Sequence, residues 1–240
     1  MILIRLDVSK NIGTGHYRRM KVLSRQLEEK VIFLINTDDN TNKAFSSKDI
    51  FITTIDKEFQ NFEILIKKFN IKFILLDLLR YNKNYIEKLS KKFNCKIIAF
   101  HEHDDYSRFS NISFNCNFLN ESNRLKDYSV YHGPKYLIIN IKIKDFNNIK
   151  KKNYIYINFG GSDPSSFMEK FIDAENNIKT KEKFILDIGI LKKKSFQILS
   201  DNYKIRNFEQ CIFKTMSESK LNIVSAGNIM YESIYFNKKT

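Results

Sequence analysis

Short apolar runs alternate along this chain with stretches whose apolar residues recur every three or four positions. ILIRLDV (2–8) reads as a buried strand, and HYRRMKVLSRQLEEK (16–30) as an amphipathic helix with Met20, Leu23 and Leu27 along one stripe. VIFLIN (31–36), IFITTI (50–55), FILLDL (73–78) and KIIAFH (96–101) read as further strands, with helices predicted in KEFQNFEILIKKF (57–69) and NKNYIEKLSKKF (82–93). Strands that are apolar throughout are buried on both faces, and intervening helices provide the crossovers that parallel strands require. The first half is therefore expected to be Rossmann-like.

The order starts again after YHGPKYLIIN (131–140) and a polar, lysine-rich stretch. Strands are predicted at YIYINF (154–159), KFILDIG (183–189), YKIRNF (203–208) and LNIVSA (221–226), and helices at 165–178, 192–201, 209–219 and 228–236. The stretch 141–153 reads as a linker. Two Rossmann-like α/β domains, 1–144 and 145–240, are expected, with a ligand in the cleft between them.

Composition narrows the class. A chain of 240 residues, 42% hydrophobic and without an apolar run approaching the ~20 residues that span a bilayer, is expected to be a globular protein. MILIRLDVSK lacks the layout of a signal peptide, which points to the cytoplasm. Cys95, Cys116 and Cys211 are odd in number and widely spaced, so neither a disulfide framework nor a zinc site is predicted, and they read as small buried residues. The formal charge of +14 comes mostly from lysines dispersed among Asn, Ile and Phe. Dispersed lysines solvate helix faces, and no interleaved aromatic and basic patch marks a nucleic-acid surface. A basic surface does suit anionic nucleotides or an anionic membrane face, though no membrane association is predicted.

Three segments carry candidate chemistry. SKNIGTGHYRRM (9–20) lies between the first strand and the first helix, where parallel sheets gather ligands. Gly13 and Gly15 permit close backbone approach, and His16 reads either as a general base or acid, or as a helix cap or packing residue. Arg18 and Arg19 would favour a nearby anion, with at least one expected to face solvent. INFGGSDPSS (157–166) places Gly160, Gly161 and Ser162 after a strand, either to cradle a phosphate or as a tight turn capped by Asp163. IVSAGNIMYES (223–233) puts Ser225, Ala226 and Gly227 before a helix whose Glu232 is suited to ribose hydroxyls.

The ordered set formed by Arg5, Asp7, Ser9, Ile12, Gly13, Thr14, Gly15, His16 and Arg19, then GPKY (133–136), FGGSDP (159–164) and SAGNIMYE (225–232), resembles the UDP-sugar hydrolases of pseudaminic acid biosynthesis. These belong with the spore-coat polysaccharide biosynthesis proteins and are similar in fold to GT-B glycosyltransferases. The resemblance spans nearly the whole chain and implies an enzyme with two Rossmann-like domains in a GT-B arrangement. By that resemblance His16 is the catalytic histidine near the anomeric carbon. Gly13, Thr14, Gly15 and Arg19 belong to its loop. Gly160, Gly161 and Ser162 form the phosphate-proximal loop, Ser225, Ala226, Gly227 and Asn228 the pyrophosphate turn, Glu232 the ribose carboxylate, and Phe208 marks the uracil segment.

The chain departs from that family at three places. The family's Asp-His-Tyr-Gly segment is here DLLRYN, which keeps Asp77 alone; FHEHDD replaces an Asp-Asp stretch; and the sequence stops at FNKKT (236–240), directly after the helix bearing Glu232, so the C-terminal domain is expected to be shortened. His101, Glu102, His103 and Asp104 invite a metal reading, since His-x-His puts two ligands on one side of a strand, but polar strand ends facing a cleft account for them and no metal is predicted. The expected function is hydrolysis of a UDP-linked amino or deoxy sugar at its anomeric carbon, without a cofactor, in surface-glycan or nonulosonate biosynthesis. The alternatives are a GT-B glycosyltransferase using a nucleotide-sugar donor and an inactive nucleotide-sugar-binding relative.

Overall fold

The computed structural model describes residues 1–37, 45, 47–82, 84–101, 108–116, 129–140, 145–146, 149–163, 165–178, 180–189, 202–207 and 212–236. They group into two compact units: Met1–Val8 with His16–Ile138, and Ser9–Gly15 with Ile139–Thr240.

The first unit is built on seven parallel strands: β1 (Ile2–Val8), β2 (Val31–Thr37), β3 (Ile50–Thr53), β4 (Phe73–Asp77), β5 (Lys96–His101), β6 (Ile112–Asn115) and β7 (Val130–His132). Their order is β3-β2-β1-β4-β5-β6-β7. Helices α1 (Gly15–Ser24), α2 (Glu58–Phe69) and α3 (Tyr85–Lys92) accompany them. Leu3, Ile32, Leu34, Ile74, Leu76, Ile97 and Ala99 point to one face and pack with Phe62 and Leu65 of α2 and Ile86 and Leu89 of α3. The alternate positions Ile4, Leu6 and Ile35 are equally buried, as is Met20 of α1. Burial on both faces is what these mostly apolar strands require, each large apolar side chain contributing ~1.5–3 kcal/mol.

Two features of this unit differ from the pattern-based expectation. Helix α1 stops at Ser24 rather than continuing to residue 30. The amides of Arg25 and Gln26 turn back to the carbonyls of Val22 and Leu23. Glu28 and Glu29 would otherwise sit at the negative end of the helix, and Glu29 instead accepts from the N-terminal ammonium of Met1 at 3.1 Å. Strands β6 and β7 were not anticipated, because ISFN and VYH are short and mix polar with apolar residues, so no apolar run marks them.

The second unit holds four parallel strands: β8 (Ile155–Asn158), β9 (Phe184–Ile188), β10 (Tyr203–Asn207) and β11 (Leu221–Val224), ordered β10-β9-β8-β11. Its helices are α4 (Phe167–Ile178), α5 (Phe213–Glu218) and α6 (Asn228–Tyr235). Tyr154 and Tyr156 pack against Phe213, Met216 and Ile229, while Ile155 and Ile157 pack against Met168 and Ile172, so this sheet too is covered on both faces. The helix expected over 192–201 lies outside the described residues, as do Phe208 and Cys211. Cys95 and Cys116 are half-buried rather than fully buried as expected. Among the described residues no helix is long and apolar enough to cross a membrane.

The two sheets share a topological property. In the first, the chain leaves β1 to build β2 on one side and later β4 on the other; in the second, β8 has β9 on one side and β11 on the other. Loops leaving the carboxyl ends of such strand pairs diverge and open a crevice there.

Candidate functional site

At the β1–β4 crevice the first unit concentrates side chains. Asp77 ends β4 and is completely buried. His16 and Arg19, one turn apart on α1, both reach it. His16 Nδ1 lies 2.9 Å from Asp77 Oδ1. Arg19 donates through Nε to Oδ2 at 2.7 Å and through Nη2 to Oδ1. Arg19 Nη2 also stands 2.9 Å from His16 Nδ1. Since Arg19 is committed to both carboxylate oxygens, the favourable tautomer is the one in which Nδ1–H donates to Asp77. Nε2 then carries the ring's lone pair, and it makes no hydrogen bond among the described residues. Burial works to raise the Asp77 pKa, but the charges and hydrogen bonds of Arg19 and His16 outweigh it and bring it down to about 2. The carboxylate therefore stays ionised and orients the imidazole.

The arrangement sharpens the reading of the first loop. Of the two arginines, Arg19 is bound to Asp77, and both Arg18 and Arg19 are half-buried rather than one facing solvent. The amide of Gly13 donates to the Ser9 carbonyl at 2.8 Å, and Ile12 N–H to Ser9 Oγ at 3.1 Å, so the loop closes on itself before α1 begins at Gly15. Thr14 is buried. Asp77 is the residue that sequence reasoning left out of the site. A carboxylate ending the apolar run FILLD was the available signal, because an ionised group buried in a sheet needs charged partners.

The second unit presents backbone at its β8–β11 crevice. After β8, Gly160 adopts a φ of +86° and donates its amide to Asn158 Oδ1 at 2.7 Å. Asn158 is fixed in turn through Nδ2 to Tyr156 Oη at 3.0 Å, and Tyr156 donates to Asp187 Oδ2 at 3.0 Å. A side chain at Gly161 would collide with Thr14 Oγ1. Asp163 accepts from the amides of Phe167 and Met168 at 2.8 and 3.0 Å, so it caps α4. The N–H groups of Gly160, Phe167 and Met168 are thus already used. This turn has a smaller capacity for a phosphate than its glycines imply.

The turn after β11 is different. Ser225 N–H donates to the Asn158 carbonyl at 3.2 Å, anchoring the turn to β8. Gly227 has a φ of +126°, which a side chain would strain, and directly precedes α6, whose N-terminus receives no side-chain cap among the described residues. Open amides with the positive end of a helix behind them suit an anion. Ala226 and Gly227 are exposed, Asn228 half-buried, and Glu232 is buried one turn further along α6.

His101, offered as a metal ligand, is buried with Nε2 3.2 Å from Ser113 Oγ and its ring 4.7 Å from that of Tyr81. Glu102, His103 and Asp104 lie outside the described residues, and no metal-ligand group occurs among those described. A cavity of about 480 Å³ lined by Tyr17, Lys21, Arg25, Phe33, Phe45 and Ile50 sits toward the amino ends of β2 and β3, the opposite end of the first sheet from Asp77.

No family model and no curated protein sequence matches the chain. Solved structures do. Phytolacca americana UGT2, complexed with UDP-2fluoro-glucose and pterostilbene, matches with a TM-score of 0.61 at 9% identity, over 99% of this chain and 79% of that one. MurG of Acinetobacter baumannii matches with a TM-score of 0.54 at 12% identity, over 98% and 76%. UDP-GlcNAc 2-epimerase of Methanocaldococcus jannaschii gives 0.53 at 11% identity, over 99% and 82%. The fold is that of GT-B enzymes. At these identities the likeness extends to the fold alone, and the α/β class expected from the hydrophobic pattern is the class observed.

Proposed function

We propose that this protein is an enzyme that uses a UDP-sugar, transferring the sugar to an acceptor hydroxyl with His16 as the catalytic base. The single observation that carries the reading is the His16–Asp77 pair. A buried, ionised carboxylate holds Nδ1–H, which leaves Nε2 as the proton acceptor. The fold neighbours add weight: one is described in complex with UDP-2fluoro-glucose and pterostilbene, and others with UDP or UDP-L-rhamnose.

In the proposed step the acceptor hydroxyl gives its proton to His16 Nε2 as its oxygen bonds to the anomeric carbon. The bond from that carbon to the diphosphate oxygen breaks, and UDP leaves with the electron pair. Asp77 stabilises the imidazolium that forms, and Arg19 keeps the carboxylate charged and oriented. In the second unit, the N-terminus of α6 and the Ser225–Asn228 turn suit the diphosphate of UDP, since helix-end amides stabilise negative charge without a metal. Glu232 supplies a carboxylate for the ribose on the same helix.

Hydrolysis is the second reading, favoured by the resemblance of the Arg5–Arg19 motif to UDP-sugar hydrolases; water then takes the place of the acceptor hydroxyl. Incubation with a panel of UDP-sugars, following UDP with and without saccharide acceptors, separates the two. Release that requires an acceptor supports transfer, and equal release in water supports hydrolysis. UDP binding without turnover under any condition would leave a nucleotide-sugar-binding protein and overturn both.

A further inference from the structure

A second charged cluster lies on the other face of β1, and the reaction above does not use it. Arg5 is 3% exposed in the middle of the strand, with Leu34 of β2 and Leu76 of β4 as register partners. Its guanidinium forks onto Glu58 of α2, Nε to Oε1 at 2.6 Å and Nη2 to Oε2 at 3.2 Å. Tyr85, the first residue of α3, donates its hydroxyl to Glu58 Oε1. The remaining arm, Arg5 Nη1, donates to Asp7 Oδ1 at 2.6 Å.

Burying such a network is a poor way to gain stability, since apolar side chains of equal volume commonly do as well or better. What it secures is a position. Asp7 stands at the carboxyl end of β1, its side chain 20% exposed, while Arg5 and Glu58 behind it are buried. Its strand partner Asn36 donates Nδ2 to the same Oδ1 at 3.1 Å, which assigns the orientation of that amide. Asp7 Oδ2 and Asn36 Oδ1 accept no hydrogen bond among the described residues. Two neighbouring acceptors, one of them charged, are thereby presented on adjacent strands. They lie on the edge that carries the catalytic pair, because the register partner of Leu6 on β4 is Asp77.

We infer that Asp7 and Asn36 form a subsite for the hydroxyl groups of a saccharide acceptor, held in place by Arg5, Glu58 and Tyr85 as positioning residues. The chemistry is selective: acceptor atoms alone recognise a ligand that brings donors, and they repel phosphates and carboxylates. The inference rests on the transferase reading and names its acceptor class as a neutral or amino sugar.

Asp7→Asn keeps shape and the bond from Arg5 while turning one acceptor into a donor and removing the charge. With a UDP-sugar that turns over, it is expected to raise the KM for the saccharide acceptor about tenfold or more, with UDP affinity and acceptor-free UDP release within twofold. Asn36→Ala, which leaves the Arg5 network whole, is expected to raise the same KM several-fold and serves if Asp7→Asn fails to fold. A second readout is independent of turnover. The side-chain amide resonances of Asn36 should shift on titration with glucose, N-acetylglucosamine or glucosamine in the presence of UDP, and shift far less in the Asp7→Asn protein.

An unchanged acceptor KM in both variants, or Asn36 resonances indifferent to all three sugars, overturns the subsite. A stronger response to a sugar phosphate than to the neutral sugars overturns the assigned chemistry. Loss of the functional reading looks different: wild-type protein would then release UDP equally with and without a saccharide acceptor, or not at all, whatever Asn36 does.

Discussion

The two carboxyl edges of this molecule solve different problems with different atoms. In the first unit the carboxyl edge is furnished with side chains: His16, Arg19 and Asp77 converge within hydrogen-bonding distance at the β1–β4 crevice, and Asp7 of β1 meets Asn36 of β2 toward the other face of the sheet. In the second unit the β8–β11 crevice is furnished with backbone, bent through Gly160 and Gly227 and ending at helix N-termini. Side chains can hold and move a proton, whereas amides can only stabilise a charge that stays put. The contrast teaches where proton transfer and where anchoring should be sought. Within the second unit it repeats on a smaller scale. The turns before α4 and α6 share the grammar of strand, small residues and helix, yet Asp163 closes the first helix and no side chain among the described residues caps the second.

If that division holds, changes at the first edge alter turnover without altering UDP affinity, and changes at the second do the reverse. The largest effect is expected for His16→Ala, with UDP release slowed about a thousandfold while the Kd for UDP, from calorimetry, stays within threefold. A parallel loss of both would erase the contrast. Asp77→Asn comes next, slowing turnover by ~10²-fold through the loss of an ionised partner for Nδ1–H.

The same substitution has an acid-stability signature. The Asp77 carboxyl is brought from an ordinary 3.8 down to about 2, so its contribution to stability is present above the ordinary value and disappears as pH falls through the folded one. Acid unfolding of the wild type between pH 4 and 2 should therefore carry a component, on the order of 2 kcal/mol, that Asp77→Asn lacks. Curves of equal slope in the two proteins would mean the carboxylate is not the group being titrated.

Asn228→Asp sharpens the comparison at the second edge, because it should move stability and affinity in opposite directions. A carboxylate in the first turn of α6 favours the helix by ~0.5 kcal/mol, yet it repels a diphosphate and should weaken UDP binding about tenfold. The smallest effect belongs to Asp163→Ala. Removing the α4 cap should cost about 1 kcal/mol in denaturant unfolding and change UDP affinity less than twofold. A large affinity loss there would place the diphosphate at the wrong turn in the present reading.

The legible part of this protein was its periodicity. Mostly apolar runs such as ILIRLDV and FILLDL read as strands buried on both faces, and the helical spacing between them announced a parallel sheet and its crossovers. That His16 and the glycine turns follow the carboxyl ends of strands, where such sheets open, was legible as well. The end of α1 at Ser24 was harder, since its stripe continues through Leu27 while the Glu28–Glu29 charges and the need to enter β2 favour stopping earlier.

What only the tertiary structure decided is partnership. Asp77 lies 61 residues from His16 and Glu58 lies 53 from Arg5, so no local pattern links them. Strand order made the first pair, by setting β4 beside β1 with α1 above them, and made the second by bringing α2 across the opposite face. Whether a helix N-terminus is open or closed was decided the same way. Asp163 and Gly227 are both plausible caps in sequence, and only their backbone conformations determine which helix keeps its amides free, because a hydrogen bond depends on distance and direction that composition does not encode.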